Sequence, residues 1–277
     1  PQYPRLKIGG QQKMNEQEYI LTYILDCPRA DLYLNEVKFN AAAQGKLEEI
    51  LALRRRGLPL QYILGWVEFM GLNFKVDPRV LIPRPETEIL VEAVLEETRR
   101  LKIEDGRLID LGTGSGNIAV SLAKHLPNCR ILATDISSVA ITVARENSRL
   151  NGTDGQIEFL VCDLFSAIDS DKCFDVVVSN PPYISQQEME GLAPEVKSEP
   201  REALFGGLDG LDFYRRIIKE SPVFLKKNGL LIMEMGHNQS QAIQEIIRQS
   251  GLYRFEKIVN DYRDIERVII VRKMSNV

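Results

Sequence analysis

Apolar positions in the first part of the chain recur three and four residues apart, which is the spacing of a helical face. The pattern runs from Asn15 to about Leu64 and includes one stripe at Tyr19, Ile20, Tyr23 and Ile24. Residues 14–64 are therefore predicted to form a small N-terminal helical domain. Residues 1–13 are polar and have no period, so we expect a leader or tail outside the fold.

The hydrophobic period changes to two after this region. Residues 65–76 alternate apolar and polar side chains around Gly71, which predicts a β-hairpin, and we assign residues 65–80 to a hairpin linker. Pro83 and Pro85 then stiffen a loop. An amphipathic helix is predicted to begin near Thr87, within a main domain at 81–277.

Short apolar runs alternate with helical stripes in the main domain. Strands are predicted at 107–111, 131–135, 157–161, 174–179, 230–235, about 253–260 and 266–272. Helices are predicted at 117–126, 138–150, 211–226 and 238–250. This alternation indicates the α/β class, with a seven-stranded, mostly parallel sheet covered on both faces. The last two strands are close in sequence and are expected to form an antiparallel hairpin at one edge.

Composition excludes several classes of protein. The 277 residues allow one large domain or two smaller ones, and 44% hydrophobic with 27% charged residues is ordinary for a globular protein. The net charge of −4 does not favour unspecific binding to nucleic acid. No apolar run approaches the roughly 20 residues that span a bilayer, so we expect no membrane contact.

Cysteine and histidine usage gives little sign of redox or metal chemistry. Cys27, Cys129, Cys162 and Cys173 are scattered, which is typical of reduced thiols in a cytoplasmic protein. The chain has only two histidines, so a histidine-based metal site or catalytic triad is not expected.

A glycine-rich loop follows the first predicted strand of the main domain. Gly112, Gly114 and Gly116 alternate with Thr113 and Ser115. Glycines allow a ligand to approach the backbone N–H groups closely, as in nucleotide-binding βαβ units. The spacing also fits the dinucleotide pattern G-x-G-x-x-A, so the glycines alone leave the ligand open.

Two acidic residues narrow the choice of ligand. Asp110 directly precedes the loop and would repel a pyrophosphate, whereas it would attract a cationic group. Asp135 ends the next strand, where a carboxylate can accept both hydroxyls of a ribose. A nucleoside with a cationic tail and no phosphates describes S-adenosylmethionine.

A second polar group follows the strand at 174–179. The side-chain oxygen of Asn180 and the carbonyl of Pro181 can both accept from one NH₂ group. Pro182 keeps the loop stiff, and Tyr183 can stack on a planar group. Because strand ends of a parallel sheet share one rim, Asn180 is expected near Asp110, Asp135 and Asp163. The group fits a carboxamide or the exocyclic amine of adenine.

These motifs carry a resemblance to a known family. The segment Asp110–Gly116 together with Asn180–Tyr183 resembles class I, Rossmann-like S-adenosylmethionine-dependent methyltransferases that act on planar nitrogen. Five further segments are similar to the peptide chain release factor glutamine N5-methyltransferases: Leu81–Glu88, Cys162–Ser166, Glu199–Gly207, Leu231–Gly236 and Asp261–Arg267. The resemblance extends from about residue 15 to residue 272.

The resemblance implies an activity and a set of site residues. It implies methyl transfer from S-adenosylmethionine, leaving S-adenosylhomocysteine, to the glutamine of the Gly-Gly-Gln motif of class I release factors. It implies cofactor contacts from Asp110, Gly112, Thr113, Gly114, Ser115, Gly116, Asp135, Asp163, Leu164 and Asn180. It implies that the glutamine amide is held by the catalytic residues Asn180, Pro181, Pro182 and Tyr183. Arg84 and Glu86 are weaker candidates for ligand contact.

Two alternatives remain at this point. An adenine N6-methyltransferase acting on DNA or RNA would need the same acceptors to bind the amine of adenine. The acidic charge balance of the chain disfavours this alternative. A catalytically silent assembly subunit would retain the fold, although the intact Asn180–Tyr183 motif disfavours that. We expect a monomer that takes a protein substrate without direct nucleic-acid contact.

Overall fold

The computed structural model describes residues 15–34, 39–171 and 173–275. The predicted leader at 1–13 lies outside the described residues. The chain divides into two compact units that meet in sequence between Leu64 and Gly65. Across the described ranges, no helix combines the length and the apolar character needed to cross a bilayer.

The N-terminal unit is helical, as predicted. Its described part contains α1 (Glu16–Leu25), α2 (Asp31–Leu34), α3 (Ala41–Arg55) and α4 (Leu60–Leu64). Asn15 begins α1 with a capping box: its side-chain oxygen accepts from the Glu18 N–H at 2.9 Å, and the Glu18 carboxylate accepts from the Asn15 N–H at 2.7 Å. Ile20 and Ile24 bury the apolar stripe of α1.

The predicted hairpin is confirmed by a two-stranded antiparallel sheet. It pairs β1 (Trp66–Phe69) with β2 (Leu72–Lys75). Phe69 and Phe74 are fully buried and meet edge to face, with ring centroids 6.0 Å apart. The hairpin is therefore packed into the core of the larger unit.

The main sheet has seven strands, as predicted. They are β3 (Arg107–Leu111), β4 (Arg130–Asp135), β5 (Ile157–Val161), β6 (Phe174–Ser179), β7 (Leu225–Glu234), β8 (Tyr253–Asn260) and β9 (Glu266–Lys273). Their order in the sheet is β5-β4-β3-β6-β7-β9-β8. Strand β9 runs antiparallel to both of its neighbours, β7 and the edge strand β8, whereas the other described pairs in this sheet are parallel.

Strand β7 differs most from its predicted bounds. It begins at Leu225 rather than at residue 230, directly after a helix. Leu225 pairs with Phe174, and the register then shifts before Leu230 pairs with Val176. The four residues between Leu225 and Leu230 form this irregularity. Their sequence alone, without the neighbouring strand, is typical of a turn.

Helices and one 3₁₀ turn surround the sheet. They are α5 (Pro85–Arg100), α6 (Asn117–His125), α7 (Ser138–Leu150), α8 (Gln186–Glu190), α9 (Pro194–Lys197), the 3₁₀ turn Arg201–Ala203, α10 (Asp212–Phe224) and α11 (Ser240–Ser250). Helix α5 begins two residues before the predicted Thr87, because Pro85 suits the first helical position. Residues 186–203 were not predicted to be helical.

The central strands of the sheet are buried on both faces. Successive residues of β6 point to opposite sides, so Val176 packs with α5 and α6 while Val177 packs with α10 and α11. Both valines are fully buried, which explains why β6 is a continuous apolar run rather than an alternating one. The strand ends at the rim therefore rest on two buried cores, one on each face of the sheet.

Candidate active site

The strand order places two of the predicted motifs side by side. From β3 the chain passes to β4 on one side, while β6 occupies the other side, so the order reverses between β3 and β6. Ligands of open α/β sheets bind outside the carboxyl ends of the strands at such a point. The last residues of the two strands, Leu111 and Ser179, are paired in register, and the Ser179 hydroxyl donates to the Leu111 carbonyl at 2.8 Å. The glycine loop follows Leu111 and Asn180 follows Ser179, so the two lie next to each other at the rim of the sheet.

A cavity of about 490 Å³ opens at this rim. Eleven of the residues predicted from the sequence line it: Arg84, Gly112, Thr113, Gly114, Ser115, Asp135, Asp163, Leu164, Asn180, Pro181 and Pro182. Four others do not line it, namely Glu86, Asp110, Gly116 and Tyr183. The volume is typical of a site for one small ligand.

The three glycines of the loop differ in what surrounds them. All have positive φ, at +72° for Gly112, +54° for Gly114 and +83° for Gly116. A Cβ at Gly112 or Gly114 would meet no atom within 4 Å, so these two leave open space on the cavity side. A Cβ at Gly116 would lie 3.1 Å from Ala144 of α7. Gly116 thus allows close packing between helices, whereas the resemblance implied a cofactor contact.

Asp135 is held in place by the backbone around it. One carboxylate oxygen accepts from the Gly114 N–H at 2.8 Å, and the other accepts from the Ser137 N–H at 2.9 Å. Burial raises the pKa of Asp135 above its ordinary value, and these two hydrogen bonds oppose the rise. The carboxylate stands at the end of β4 and lines the cavity, where the sequence predicted a partner for a ribose.

Asp110 lies behind the loop instead of in the cavity. It is fully buried, and one of its oxygens accepts from the Thr113 hydroxyl at 2.7 Å. Its Oδ1 has no hydrogen-bond partner among the described residues. Burial raises the pKa of Asp110 to about 7. The direct contact with a cationic ligand that we expected is replaced by support of Thr113, which does line the cavity.

Asn180 is oriented by a residue that the sequence analysis treated only as a helix start. Its Nδ2 donates to the hydroxyl of Thr87 at 3.1 Å. Thr87 is only 2% exposed, yet both residues line the cavity. No described residue donates to the Asn180 Oδ1, so this oxygen is available as an acceptor. No local pattern connects Thr87 with Asn180, because 93 residues separate them.

Tyr183 supports the site from the side of the core. Its ring packs against the cluster between the sheet and α10–α11, and burial raises the pKa of its phenol to about 12. Its carbonyl accepts from the Gln239 side chain at 2.9 Å. A Cβ on Gly206 would lie 2.6 Å from the Pro182 carbonyl, so this glycine lets its segment close onto the motif. Gln239 and Gly206 were not predicted as site residues.

Arg84 stiffens the loop that contains Pro83 and Pro85, called the proline loop below. Its guanidinium forms an ion pair with Glu199, whose side chain is almost completely buried. The second oxygen of Glu199 accepts from the Ile82 N–H at 3.1 Å. Glu199 therefore fastens the loop that precedes α5, and this contact, across 115 residues, was not predicted from the sequence.

The cavity fits S-adenosylmethionine better than a dinucleotide. Each arginine that lines it is already paired with a carboxylate: Arg79 with Asp77, Arg84 with Glu199 and Arg216 with Asp163. None is left to neutralise a pyrophosphate. The open space at the glycine loop suits a close backbone approach, and Ile136, Ala140 and Leu164 offer apolar surface to a purine. Within the described ranges, no group of three or more acidic, histidine or cysteine side chains could hold a metal ion.

Comparisons with known proteins agree with this geometry. Residues 85–207 match the family model "Methyltransferase small domain", and residues 7–65 match the "PrmC N-terminal domain". The chain is 42% identical over 268 residues to the release factor glutamine methyltransferase of Moorella thermoacetica, covering 96% of this chain and 94% of that protein. It is 42% identical over 263 residues to the protein of the same name from Koribacter versatilis, covering 94% and 91%.

Solved structures show the same fold at low sequence identity. The hMettl16 catalytic domain, solved in complex with MAT2A 3′UTR hairpin 6, superposes with a TM-score of 0.58 at 20% identity, over 72% of this chain and 75% of that one. A methyltransferase from Pyrococcus furiosus gives a TM-score of 0.54 at 16% identity, over 85% and 100%. With relatives above 40% identity along nearly the whole length, the chain belongs to the release factor glutamine methyltransferase family.

Proposed function

We propose that this protein transfers a methyl group from S-adenosylmethionine to the side-chain amide nitrogen of the glutamine in the Gly-Gly-Gln motif of class I release factors. One observation carries the proposal for the residues involved: Asn180 lines the cavity beside the glycine loop with its Nδ2 bound to Thr87. Its Oδ1 is thereby free to accept from the substrate amide. The relatives' shared name supplies the substrate class.

The residues around the cavity bind the two reactants separately. Gly112 and Gly114 form the backbone cradle of the cofactor, and Asp135 accepts the hydroxyls of its ribose. Bound S-adenosylmethionine supplies an electrophilic methyl group. Asp110 acts through Thr113, which it holds by a hydrogen bond.

Asn180 and Pro181 make the substrate nitrogen reactive. An amide nitrogen is a poor nucleophile because its lone pair is delocalised into the carbonyl. The Asn180 Oδ1 and the Pro181 carbonyl each accept one N–H, which raises the electron density on nitrogen and directs its lone pair at the methyl group. Positioning of this kind can supply about 7–11 kcal/mol of the barrier reduction.

The same two acceptors stabilise the charge that develops on the substrate nitrogen during transfer. The methylated nitrogen is strongly acidic and loses its proton afterwards, so the mechanism needs no general base before transfer. Pro181 and Pro182 contribute no backbone N–H, and the site therefore offers acceptors rather than donors to the amide. Tyr183 positions this loop through its packing against the core.

The proposal extends to the partner and its compartment. The substrate is a folded release factor, the enzyme acts as a monomer, and it works in the cytoplasm where release factors act. Direct contact with nucleic acid is not part of the proposed reaction. The net charge of −4 supports a protein substrate over an oligonucleotide.

A methylation assay tests the proposal. The protein is incubated with methyl-labelled S-adenosylmethionine and a purified class I release factor, either wild type or with the glutamine of Gly-Gly-Gln replaced by alanine. We expect label only in the wild-type factor, on the glutamine peptide. An adenine-containing oligonucleotide serves as the second substrate. Label in the oligonucleotide, or equal label in both release factors, would overturn the proposal.

A further inference from the structure

One buried side chain joins the glycine loop to the β-hairpin. Asn147 lies on α7 and is completely buried. Its Oδ1 accepts from the Lys75 N–H at 2.7 Å, and its Nδ2 donates to the Lys75 carbonyl at 3.0 Å and to the Ser115 carbonyl at 2.9 Å. The amide therefore uses its oxygen and both of its N–H groups inside the protein.

The contact with Ser115 fixes one peptide group of the glycine loop. The Gly116 N–H donates to the Thr113 carbonyl at 2.8 Å, which closes a β-turn through Gly114 and Ser115. Among the described residues, only Asn147 donates to the Ser115 carbonyl. Both polar ends of the peptide between Ser115 and Gly116 are therefore bonded, the carbonyl to Asn147 and the N–H within the turn.

A peptide group beside a glycine can turn over at little steric cost. Gly116 has a φ of +83°, and glycine also accepts negative values of this angle. Ser115 lines the cavity, whereas Asn147 does not. A buried carbonyl without a donor is unfavourable, so without Asn147 the Ser115 carbonyl would gain water by turning towards the cavity. It would then occupy space that the cofactor needs.

We propose that Asn147 is a positioning residue for S-adenosylmethionine. It holds the peptide between Ser115 and Gly116 so that the Ser115 carbonyl points away from the cavity. The inference rests on the part of the proposed function that places the cofactor at the glycine loop. It does not depend on the release factor as the substrate.

The same side chain makes the hairpin part of the support of the cofactor site. Asn147 pairs with the N–H and the carbonyl of Lys75, at the end of β2 and outside residues 85–207, which match the methyltransferase family model. Asn151, at the end of α7, donates to the Asn73 carbonyl at 3.0 Å and to the Asn147 carbonyl at 2.9 Å. Within the described part of the chain, Asn151 forms no hydrogen bond with the glycine loop. It therefore provides a control that separates the hairpin contact from the loop contact.

The first test measures the binding of S-adenosylhomocysteine to full-length variants by calorimetry. Asn147→Asp keeps the shape and the acceptor but has no N–H to donate. Asn147→Ser has a side chain one atom shorter, which does not reach the Ser115 carbonyl. Asn151→Ala is the matched control, because it removes a hairpin contact and leaves the bond to Ser115 in place.

Both Asn147 variants should bind the ligand more weakly than the wild type. We expect Kd to rise at least about tenfold in each of them and to stay within about twofold of the wild-type value in Asn151→Ala. Circular dichroism and urea unfolding show that each variant is folded under the assay conditions. If Asn147→Asp does not fold, Asn147→Ser decides the outcome.

Kinetics separate positioning of the cofactor from a general loss of structure. KM for S-adenosylmethionine should rise with Kd, while kcat at saturating cofactor and KM for the release factor stay near the wild-type values. A crystal structure of Asn147→Ser without ligand should show the Ser115 carbonyl turned towards the cavity. The binding and crystal results stand even if the release factor is not methylated, so failure of the inference and failure of the proposed function are distinguishable.

Three results would overturn the inference. One is a wild-type Kd in folded Asn147→Ser. Another is an equal rise of Kd in Asn151→Ala, because looser packing of the hairpin would then explain the loss of binding. The third is a Ser115 carbonyl that keeps its direction in the crystal structure of Asn147→Ser.

Discussion

Replacing Glu234 by glutamine is expected to change how the stability of the protein depends on pH. Glu234 is buried, and this burial raises its pKa from the ordinary 4.5 to about 7, against smaller opposing effects of Thr87 and Arg267. Between these two values the folded protein binds a proton that the unfolded chain has released. The stabilisation is therefore complete below pH 4.5 and is lost as the pH rises through 7.

The size of the effect follows from the two pKa values. They differ by about 2.5, and each unit corresponds to about 1.4 kcal/mol, which gives a ceiling of about 3 kcal/mol. Glutamine has nearly the same shape and stays neutral at every pH. At pH 5 the variant and the wild type should have similar free energies of unfolding. At pH 8 the variant should be more stable by roughly 2–3 kcal/mol.

Urea unfolding at pH 5, 6, 7 and 8 measures this difference. Other carboxyls that titrate in this range, such as Asp110, are present in both proteins, so their contributions cancel in the comparison. Glu245→Gln is the matched control on the surface of α11. Its hydrogen bond with Arg248 lowers the pKa of Glu245 to about 2, so its stability difference from the wild type should be constant above pH 5. A constant difference for Glu234→Gln, or a less stable variant at pH 8, would contradict the reasoning.

Three further predictions follow from the contacts of the site. Asn180→Ala should lower turnover at least about 100-fold with little loss of cofactor affinity, measured by methylation and calorimetry, and near-normal turnover would exclude its role. Gly116→Ala should lower the free energy of unfolding by about 1–3 kcal/mol, whereas Gly45→Ala, inside α3 with open space around it, should raise it by about 0.5–1 kcal/mol. Arg84→Ala should cost about 3 kcal/mol in urea unfolding, because Glu199 is left buried and unpaired, and an unchanged midpoint would contradict this.

Hydrophobic periodicity was sufficient to predict most of the elements. The strands at 107–111, 157–161 and 174–179 and the helix at 138–150 have the predicted bounds. These segments carry their signal locally. The central strands β3 and β6 are mostly apolar because both of their faces are covered, the edge strand β5 is a short, mostly apolar run, and the helix has an apolar stripe. The motifs at the strand ends were also visible, since glycine and proline mark the places where the chain turns.

The start of β7 and the helices at 186–203 were not predictable in this way. Residues 226–228 are polar and residue 229 is glycine, so their place in a strand depends on the partner strand β6. The segment 186–203 is too short and polar for a periodic signal. Its position was decided by contacts such as that of Glu199 with the proline loop.

The sequence by itself determined which residues stand at the rim of the sheet. The ends of strands, and the glycine and proline residues that follow them, are local properties of the chain. Only the tertiary structure decided which of those side chains face the cavity. Asp110 accepts a hydrogen bond from Thr113 behind the loop, Gly116 packs against helix α7, and Thr87 accepts a hydrogen bond from Asn180. The reason is physical: a side chain's neighbours depend on the register of adjacent strands and on helices packed from distant parts of the chain, and one segment alone does not contain that information.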